Sequence, residues 1–198
     1  GDSAFTDLVH HRALLDMVEQ IIGPDIILWA TQLFCKQAIV GREVPWHQDS
    51  RYWAVRPLQT CTAWVAFDES NRTNGALKFI PGSHMRGLYS HRTDDSPDLA
   101  LHQVLDDERF DESQAQIVEL VPGQVSLHHA DLVHGSAPNV SGQRRAGLSI
   151  RYMPATSAID RSVDMSAVSR LDWAVLPLVL VRGENQNRAN ENHLSTRS

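Results

Sequence analysis

Residues 44–53 read Val44-Pro45-Trp46-His47-Gln48-Asp49-Ser50-Arg51-Tyr52-Trp53. A short turn around Gly41-Arg42-Glu43 leads into a predicted strand over Val44–His47. On extended chain, residues two apart project to the same side. The imidazole of His47 and the carboxylate of Asp49 therefore reach toward one point. Together they make two thirds of the two-His-one-carboxylate face that holds Fe(II) and leaves its other positions open. His-x-Asp also arises by chance. Its meaning turns on whether the chain supplies a second histidine and a partner for a co-substrate.

Residues 131–152 supply both. Here His134 is followed by Gly135, Ser136 and Asn139, then by Arg144, Arg145, Gly147, Ser149, Arg151 and Tyr152. The reading is a histidine at a strand end, a turn, and a strand that carries arginine. The two stretches together resemble the phytanoyl-CoA dioxygenase family of Fe(II)- and 2-oxoglutarate-dependent oxygenases. That family carries His-x-Asp, a distal His in a His-Gly-Ser-x-x-Asn-like segment, and an Arg about eleven positions later, which falls here on Arg145. The resemblance runs from about Ile26 to Met153 and extends toward Gly183. Its motif wording is closest to bacterial small-molecule hydroxylases, including those acting on aminophosphonates. Members carry a longer N-terminal part before the first barrel strand, whereas about twenty-five residues precede Ile26 here.

Moving outward, apolar residues recur near a 3.6-residue period over Asp7–Ile22, which predicts a helix stopped by Gly23-Pro24. Ile26–Ala38 reads as one or two strands. Gln59–Asp68 alternates cleanly, with Thr60, Thr62, Trp64 and Ala66 on one face and Cys61, Ala63, Val65 and Phe67 on the other. Asn71–Gly75 ends in Asn-Gly, a hairpin signal, and Ala76–Ile80 reads as the return strand. Ile117–Leu120, Gln124–His129, Asp131–Val133 and Arg145–Met153 complete the strands. Residues 91–113 hold eight of the 24 acidic residues and only two basic ones, Arg92 and Arg109. This stretch is either a solvated loop or a mobile lid over the barrel mouth, with one helical turn near Leu99–Leu105. Arg182–Ser198 is polar and Asn-rich and reads as a loose tail. Many short strands and little helix predict a mainly β fold. The expected form is a double-stranded β-helix, a cupin-like jelly roll, with an N-terminal helix and a loop insertion. The expected organisation is a single domain over 1–198 with a core of about 26–153.

Length and composition agree with this. A chain of 198 residues buries a real core, and 42% hydrophobic with 21% charged residues is ordinary for a globular protein. The net charge of −6 argues against a nucleic-acid binder. No apolar run reaches membrane-spanning length, and no basic-then-apolar leader is visible. Cys35 and Cys61 sit in apolar strand-like runs and read as buried free thiols, as expected in a reducing cytoplasm. No cysteine pair has zinc spacing, and no nucleophile elbow, P-loop or dinucleotide fingerprint occurs.

The resemblance assigns roles residue by residue. His47, Asp49 and His134 would ligate Fe(II), leaving positions for 2-oxoglutarate and O2. Arg145 would grip the far carboxylate of 2-oxoglutarate, since a guanidinium fork matches a carboxylate. Alternation places Arg145, Gly147, Ser149 and Arg151 on one face, and a one-residue shift would exchange Arg145 for Arg144. Gln48, Trp64 and Ser136 match positions lining the 2-oxoglutarate site, although Trp64 also suits ordinary core packing. Thr62 shares the face of Trp64, and Gln32 is a further candidate on the first strand. Lys36 on that strand reads equally as a surface charge. Tyr52, Trp53, Arg56 and Arg151 are candidate substrate contacts, with barrel packing the alternative for Tyr52 and Trp53. Converging arginines would suit an anionic small molecule. His128 or His129 could hydrogen-bond a ligand or substrate, but the triad is complete without them.

The expected activity is hydroxylation of an unactivated C–H bond, with 2-oxoglutarate and O2 converted to succinate and CO2. Related halogenases replace the carboxylate ligand with a small residue, so Asp49 favours hydroxylation. Alternatives are desaturation, epimerisation or cyclisation with the same cofactors, a non-catalytic metal-binding or sensor jelly roll, and a cupin-like enzyme that needs no 2-oxoglutarate. The last would have no use for Arg145. The expected partner is a small-molecule substrate, with no nucleic acid and no membrane, and the sequence does not give the oligomeric state.

Overall fold

A computed structural model describes residues 3–169 and 171–195. Two helices, α1 (Ser3–Val9) and α2 (Arg12–Ile22), precede the strands. The strands are β1 (Ile26–Lys36), β2 (Val44–His47), β3 (Val55–Arg56), β4 (Cys61–Ala66), β5 (Leu77–Phe79), β6 (His91–Thr93), β7 (Gln103–Leu105), β8 (Gln116–Val118), β9 (Val125–His128), β10 (His134–Ser136), β11 (Arg145–Pro154), β12 (Ala158–Ile159) and β13 (Val179–Arg182). They form a five-stranded sheet, β13-β1-β11-β4-β9, and a four-stranded sheet, β2-β10-β5-β8. Two ribbons, β3–β12 and β6–β7, are added. The pairings are antiparallel throughout, as a jelly roll requires. No helix among the described residues is long and apolar enough to cross a membrane.

The central strand β11 is buried at all ten positions. Its outward residues Leu148, Ile150 and Tyr152 pack with Cys61, Ala63 and Val65 of β4 beneath Leu14, Leu15 and Val18 of α2. This is the alternation expected for a sheet covered on one face by an amphipathic helix. The opposite face carries Arg145, Gly147, Ser149 and Arg151 and looks into the space between the sheets. A bulge at Trp29 shifts the β1 register between Leu28 and Ala30. Beyond it Gln32 pairs with Ser149, Phe34 with Gly147 and Lys36 with Arg145, so these β1 residues share the inner face. Trp29 itself joins Trp53, Met153, Trp173 and Leu178 in a second core.

Several expectations need correction. The helix over Asp7–Ile22 is two helices broken at His10-His11. The Val9 carbonyl at the break accepts a hydrogen bond from the Tyr152 hydroxyl at 2.9 Å. Ala76–Ile80 does not return against Gln59–Asp68. Both neighbours of β4 are taken by β11 and β9, so the Asn71–Gly75 turn carries the chain to the other sheet, where β5 pairs with β10 and β8. Asp131–Val133 is a turn, closed by Leu132 N donating to His129 O at 3.0 Å. Its apolar residues had suggested a strand, but only Val133 is buried in a core.

Residues 91–113 hold the β6–β7 ribbon and no helical turn at Leu99–Leu105. Tyr89 and Leu105 pack with Trp46 and Val133, which docks the ribbon on β2. The tail from Arg182 onward is folded through 195. Asn187 caps a 3-10 turn, and Asn190, buried, donates to Ser157 O at 2.9 Å. The Asp25 carboxylate accepts from Glu184 N at 2.8 Å and from Gln186 Nε2 at 3.0 Å. The amides that made this tail look solvated satisfy backbone groups instead. Cys61 is buried as expected, but Cys35 is exposed because it falls on the outer face of β1.

A candidate metal centre flanked by two arginines

His47 ends β2 and His134 begins β10. The antiparallel register sets them directly opposite each other, with ring centroids 4.2 Å apart. Gly135 makes this close pairing possible, since a Cβ there would lie 3.1 Å from Val44 O. Gln48 keeps extended backbone, φ −121° and ψ 132°, so alternation survives past the strand end. Asp49 therefore returns to the side of His47, with Oδ1 3.6 Å from His47 Nε2. One ligand atom from each of His47, Asp49 and His134 lies within 4.8 Å of the others, and all three residues are buried.

The protonation pattern suits a cation. His47 Nδ1 faces Pro45 O at 2.8 Å, and His134 Nδ1 faces Leu132 O at 2.8 Å. A carbonyl only accepts, so each Nδ1 carries a hydrogen, and the neutral form of either ring would offer Nε2 to a metal. Burial, reinforced by neighbouring His47, depresses the His134 pKa to about 3, which keeps the ring neutral. Burial alone would raise the Asp49 carboxyl. The His128 and His47 rings beside it outweigh burial and hold it well below the usual carboxylate range. Two imidazoles and one carboxylate, with one ligand atom of each within 4.8 Å of the others, fit a ferrous ion.

The inner faces of β4, β9 and β11 continue the site. Trp64 pairs with Ser126 and Thr62 with His128 across β4 and β9. Thr62 Oγ1, Trp64 Nε1, Ser126 Oγ, His128 Nδ1, Arg145 Nε and Arg151 Nε are all buried with no partner. Each such group costs on the order of 1–3 kcal/mol unless something fills the space. An organic dianion with several acceptor oxygens is the kind of molecule that would satisfy them.

Arg145 is buried and its partners fix its direction. Nη2 donates to Ser136 Oγ at 2.8 Å and to the Gly75 carbonyl, while Ser136 Oγ donates to Gly75 O at 2.6 Å. The Trp64 ring lies against it, with its centroid 5.1 Å from the guanidinium carbon. Gly147 leaves room for that indole, because a Cβ there would sit 2.2 Å from Trp64 Cζ2. Burial lowers the Arg145 pKa to about 10. Arg144 points the other way and makes an exposed two-bond pair with Asp68. The alternation that favoured Arg145 over Arg144 thus matches the side chains' directions.

Lys36, which the sequence left open as a surface charge, is buried beside Arg145. Its ammonium donates to the carbonyls of Arg42, Ser136 and Ala137 at 2.7, 3.0 and 2.5 Å. Burial, then the Arg145 charge, lowers its pKa to about 7. Arg151 is buried at the other end of the same β11 face. Its Nη2 donates to Gln32 Oε1 at 2.9 Å, and its guanidinium lies over the rings of Trp29 and Trp53.

Other candidates stand elsewhere. Gln48 is fully buried with its amide turned away from any co-substrate. Nε2 donates to Gly87 O at 3.0 Å and Asp131 O at 2.7 Å, and Oε1 accepts from Tyr89 N at 2.7 Å. The same alternation that aims its neighbours inward aims Gln48 outward, so it fastens the 87–91 segment. Trp53 is a buried core residue that flanks Arg151 and does not reach the open mouth expected of a substrate contact. Arg56 is exposed on the β3–β12 ribbon and donates to Trp53 O and Val55 O, outside the two sheets. Tyr52 is half-buried, its ring edge-on to His47 at 6.2 Å. Gln32 is exposed and touches Arg151, not Arg145. Sequence reasoning missed Ser126, although its two-residue spacing from His128 placed both on one face. His129 lies near Asp131, away from the triad.

Comparison with known proteins places this geometry in context. The family model described as phytanoyl-CoA dioxygenase matches residues 1–147. A Stutzerimonas stutzeri protein named "Probable alpha-ketoglutarate-dependent hypophosphite dioxygenase" is 31% identical over 154 residues, covering 77% of this chain and 54% of that relative. The apo structure of the non-heme monooxygenase ThoJ superposes with a TM-score of 0.74 at 30% identity, over 90% of this chain and 61% of ThoJ. The epimerase SnoN, solved with Fe3+, alpha ketoglutarate and nogalamycin RO, gives 0.64 at 26% identity, over 80% of this chain and 62% of SnoN. The chain spans about half the length of the sequence relatives it matches.

Proposed function

This chain belongs to the phytanoyl-CoA dioxygenase family, and from that premise we propose that it forms an Fe(II)- and 2-oxoglutarate-dependent dioxygenase domain that hydroxylates an unactivated C–H bond of a small molecule. The observation that carries the reading is two imidazoles and a carboxylate converging on one buried point, with a buried guanidinium on the same inner surface whose Nε has no partner and which forms no salt bridge among the described residues. His47, Asp49 and His134 would hold the iron. Arg145, fixed by Ser136 and the Gly75 carbonyl, would take the distal carboxylate of 2-oxoglutarate, with Lys36 adding positive potential behind it. Thr62, Trp64 and Ser126 would donate to its remaining oxygens or to bound water. Fe(II) with 2-oxoglutarate and O2 supplies the oxidising chemistry, which releases succinate and CO2.

The chain's own contribution is to orient and to exclude water. Backbone carbonyls fix both imidazole tautomers, and the docked β6–β7 ribbon covers the metal strand. Succinate formation with Fe(II), 2-oxoglutarate and a substrate panel tests the reading. Wild type should release succinate, whereas Asp49→Ala should lose more than 100-fold. Full activity in Asp49→Ala would overturn it. The likeness to SnoN favours a second reading, epimerisation with the same cofactors. Product analysis separates the two, since epimerisation leaves the substrate's mass unchanged and hydroxylation adds one oxygen.

A further inference from the structure

Arg145 and Arg151 lie six residues apart on one face of β11, so about 20 Å of strand separates their Cα atoms. One molecule of 2-oxoglutarate has two carboxylates. In the reading above, one goes to the metal and the other to Arg145. Nothing in that inventory neutralises Arg151.

The structure gives Arg151 no counter-charge of its own. It is buried, yet it takes part in no salt bridge among the described residues. Its side-chain acceptor is the neutral Gln32 amide, and its Nε has no partner. The indoles of Trp29 and Trp53, at 5.7 and 5.2 Å, cradle the cation but carry no net charge. Asp49 influences it electrostatically, but that carboxylate is held between His47 and His128 at the metal point. A buried, uncompensated guanidinium is strongly unfavourable in the free protein and becomes favourable when an anion arrives. The space before it is kept small-sided: Ala30 faces it on β1, and Thr62, with a free hydroxyl, faces it on β4. Gln32, which touches Arg151, is itself exposed.

We propose that Arg151, braced by Gln32 and flanked by Thr62, is the anchor for an anionic group of the primary substrate, a carboxylate or a phosphorus oxyanion. The inference deepens the proposed function and rests on it. Arg151 is a specificity-determining residue. It holds the charged end of the substrate and leaves the reacting carbon to lie toward the triad.

The test uses protein loaded with Zn(II) and 2-oxoglutarate, which cannot turn over, titrated calorimetrically with acetate, methylphosphonate and neutral acetamide. At least one anion should bind saturably and acetamide should not. The stronger of the two anions identifies the oxyanion class. Arg151→Gln should weaken that anion at least 10-fold, and by more than it weakens 2-oxoglutarate. Gln32→Leu, at an exposed position that leaves the core intact, should weaken it about threefold and carries the test if Arg151→Gln fails to fold. Absence of anion binding in fully loaded wild type, or unchanged affinity in the variants, overturns the proposal. Failure to take up Zn(II) and 2-oxoglutarate would instead overturn the proposed function, and the same anion titrations on unloaded protein would then decide the subsite.

Discussion

The two ends of the β11 inner face hold the same side chain in different ways. At the Arg145 end, a hydroxyl, a carbonyl, an indole and a buried ammonium's three-carbonyl knot surround the guanidinium. At the Arg151 end, one exposed amide and two indole faces do so. The first end is preorganised, as would suit the invariant co-substrate of the proposed function. The second leaves more to be supplied by whatever binds. Under the proposed function, rigidity is concentrated where the ligand would be constant.

The largest test of that contrast is Arg145→Gln. Loss of a charge-assisted, two-bond partner should raise the 2-oxoglutarate KM by about 100-fold or more, read from succinate release. An equal rise in Arg151→Gln would erase the distinction between the ends. Gly147→Ala attacks the Arg145 end alone by driving a methyl into Trp64. It should cost about 1–3 kcal/mol of stability in urea unfolding and weaken 2-oxoglutarate, while the anion response at Arg151 survives.

The triad between the two ends gives a pH test. The His134 pKa is about 3 in the fold against 6.5 as the ordinary value. The unfolded chain therefore takes up the proton first as pH falls. Stability of the metal-free protein from this group is complete above about 6.5 and declines toward 3, by about 1–2 kcal/mol between pH 6.5 and 5. His134→Gln should flatten that part of the urea-midpoint profile, and an unchanged slope would contradict the burial argument. The smallest effect belongs to Arg144→Gln. Its pair with Asp68 is 59% exposed on the arginine side, so stability should move by less than about 1 kcal/mol and 2-oxoglutarate affinity should not move. A large loss there would mean that the inward and outward arginines had been exchanged.

Much of this was legible because strand alternation is rigid. His47 with Asp49, Thr62 with Trp64, and Arg145 with Arg151 each followed from period-two alternation, the first two pairs two residues apart and the last six, and the structure keeps each pair on one face. The same rule, applied to Gln48, would have turned it away from the site; family likeness alone had drawn it in. What stayed hidden depended on contacts distant in sequence. No local pattern says that Lys36 meets carbonyls a hundred residues away, or that β5 must cross to the other sheet because β4 has no free edge. The tail misled for a different reason. Asparagine-rich sequence looks solvated until its amides find particular backbone partners, and those partners are fixed only by the folded whole.

The wedge of Gln48 between His47 and Asp49 has a practical consequence for anyone redesigning selectivity. Its amide grips Gly87 and Tyr89, at the root of the β6–β7 ribbon, while its own backbone spaces the imidazole from the carboxylate. Loop grafts that discard those two contact points would disturb the spacing of His47 and Asp49 first. Swaps confined to 94–96 would also spare Ala100, which donates to Glu43 O, and Gln103, which accepts from Arg51 Nε.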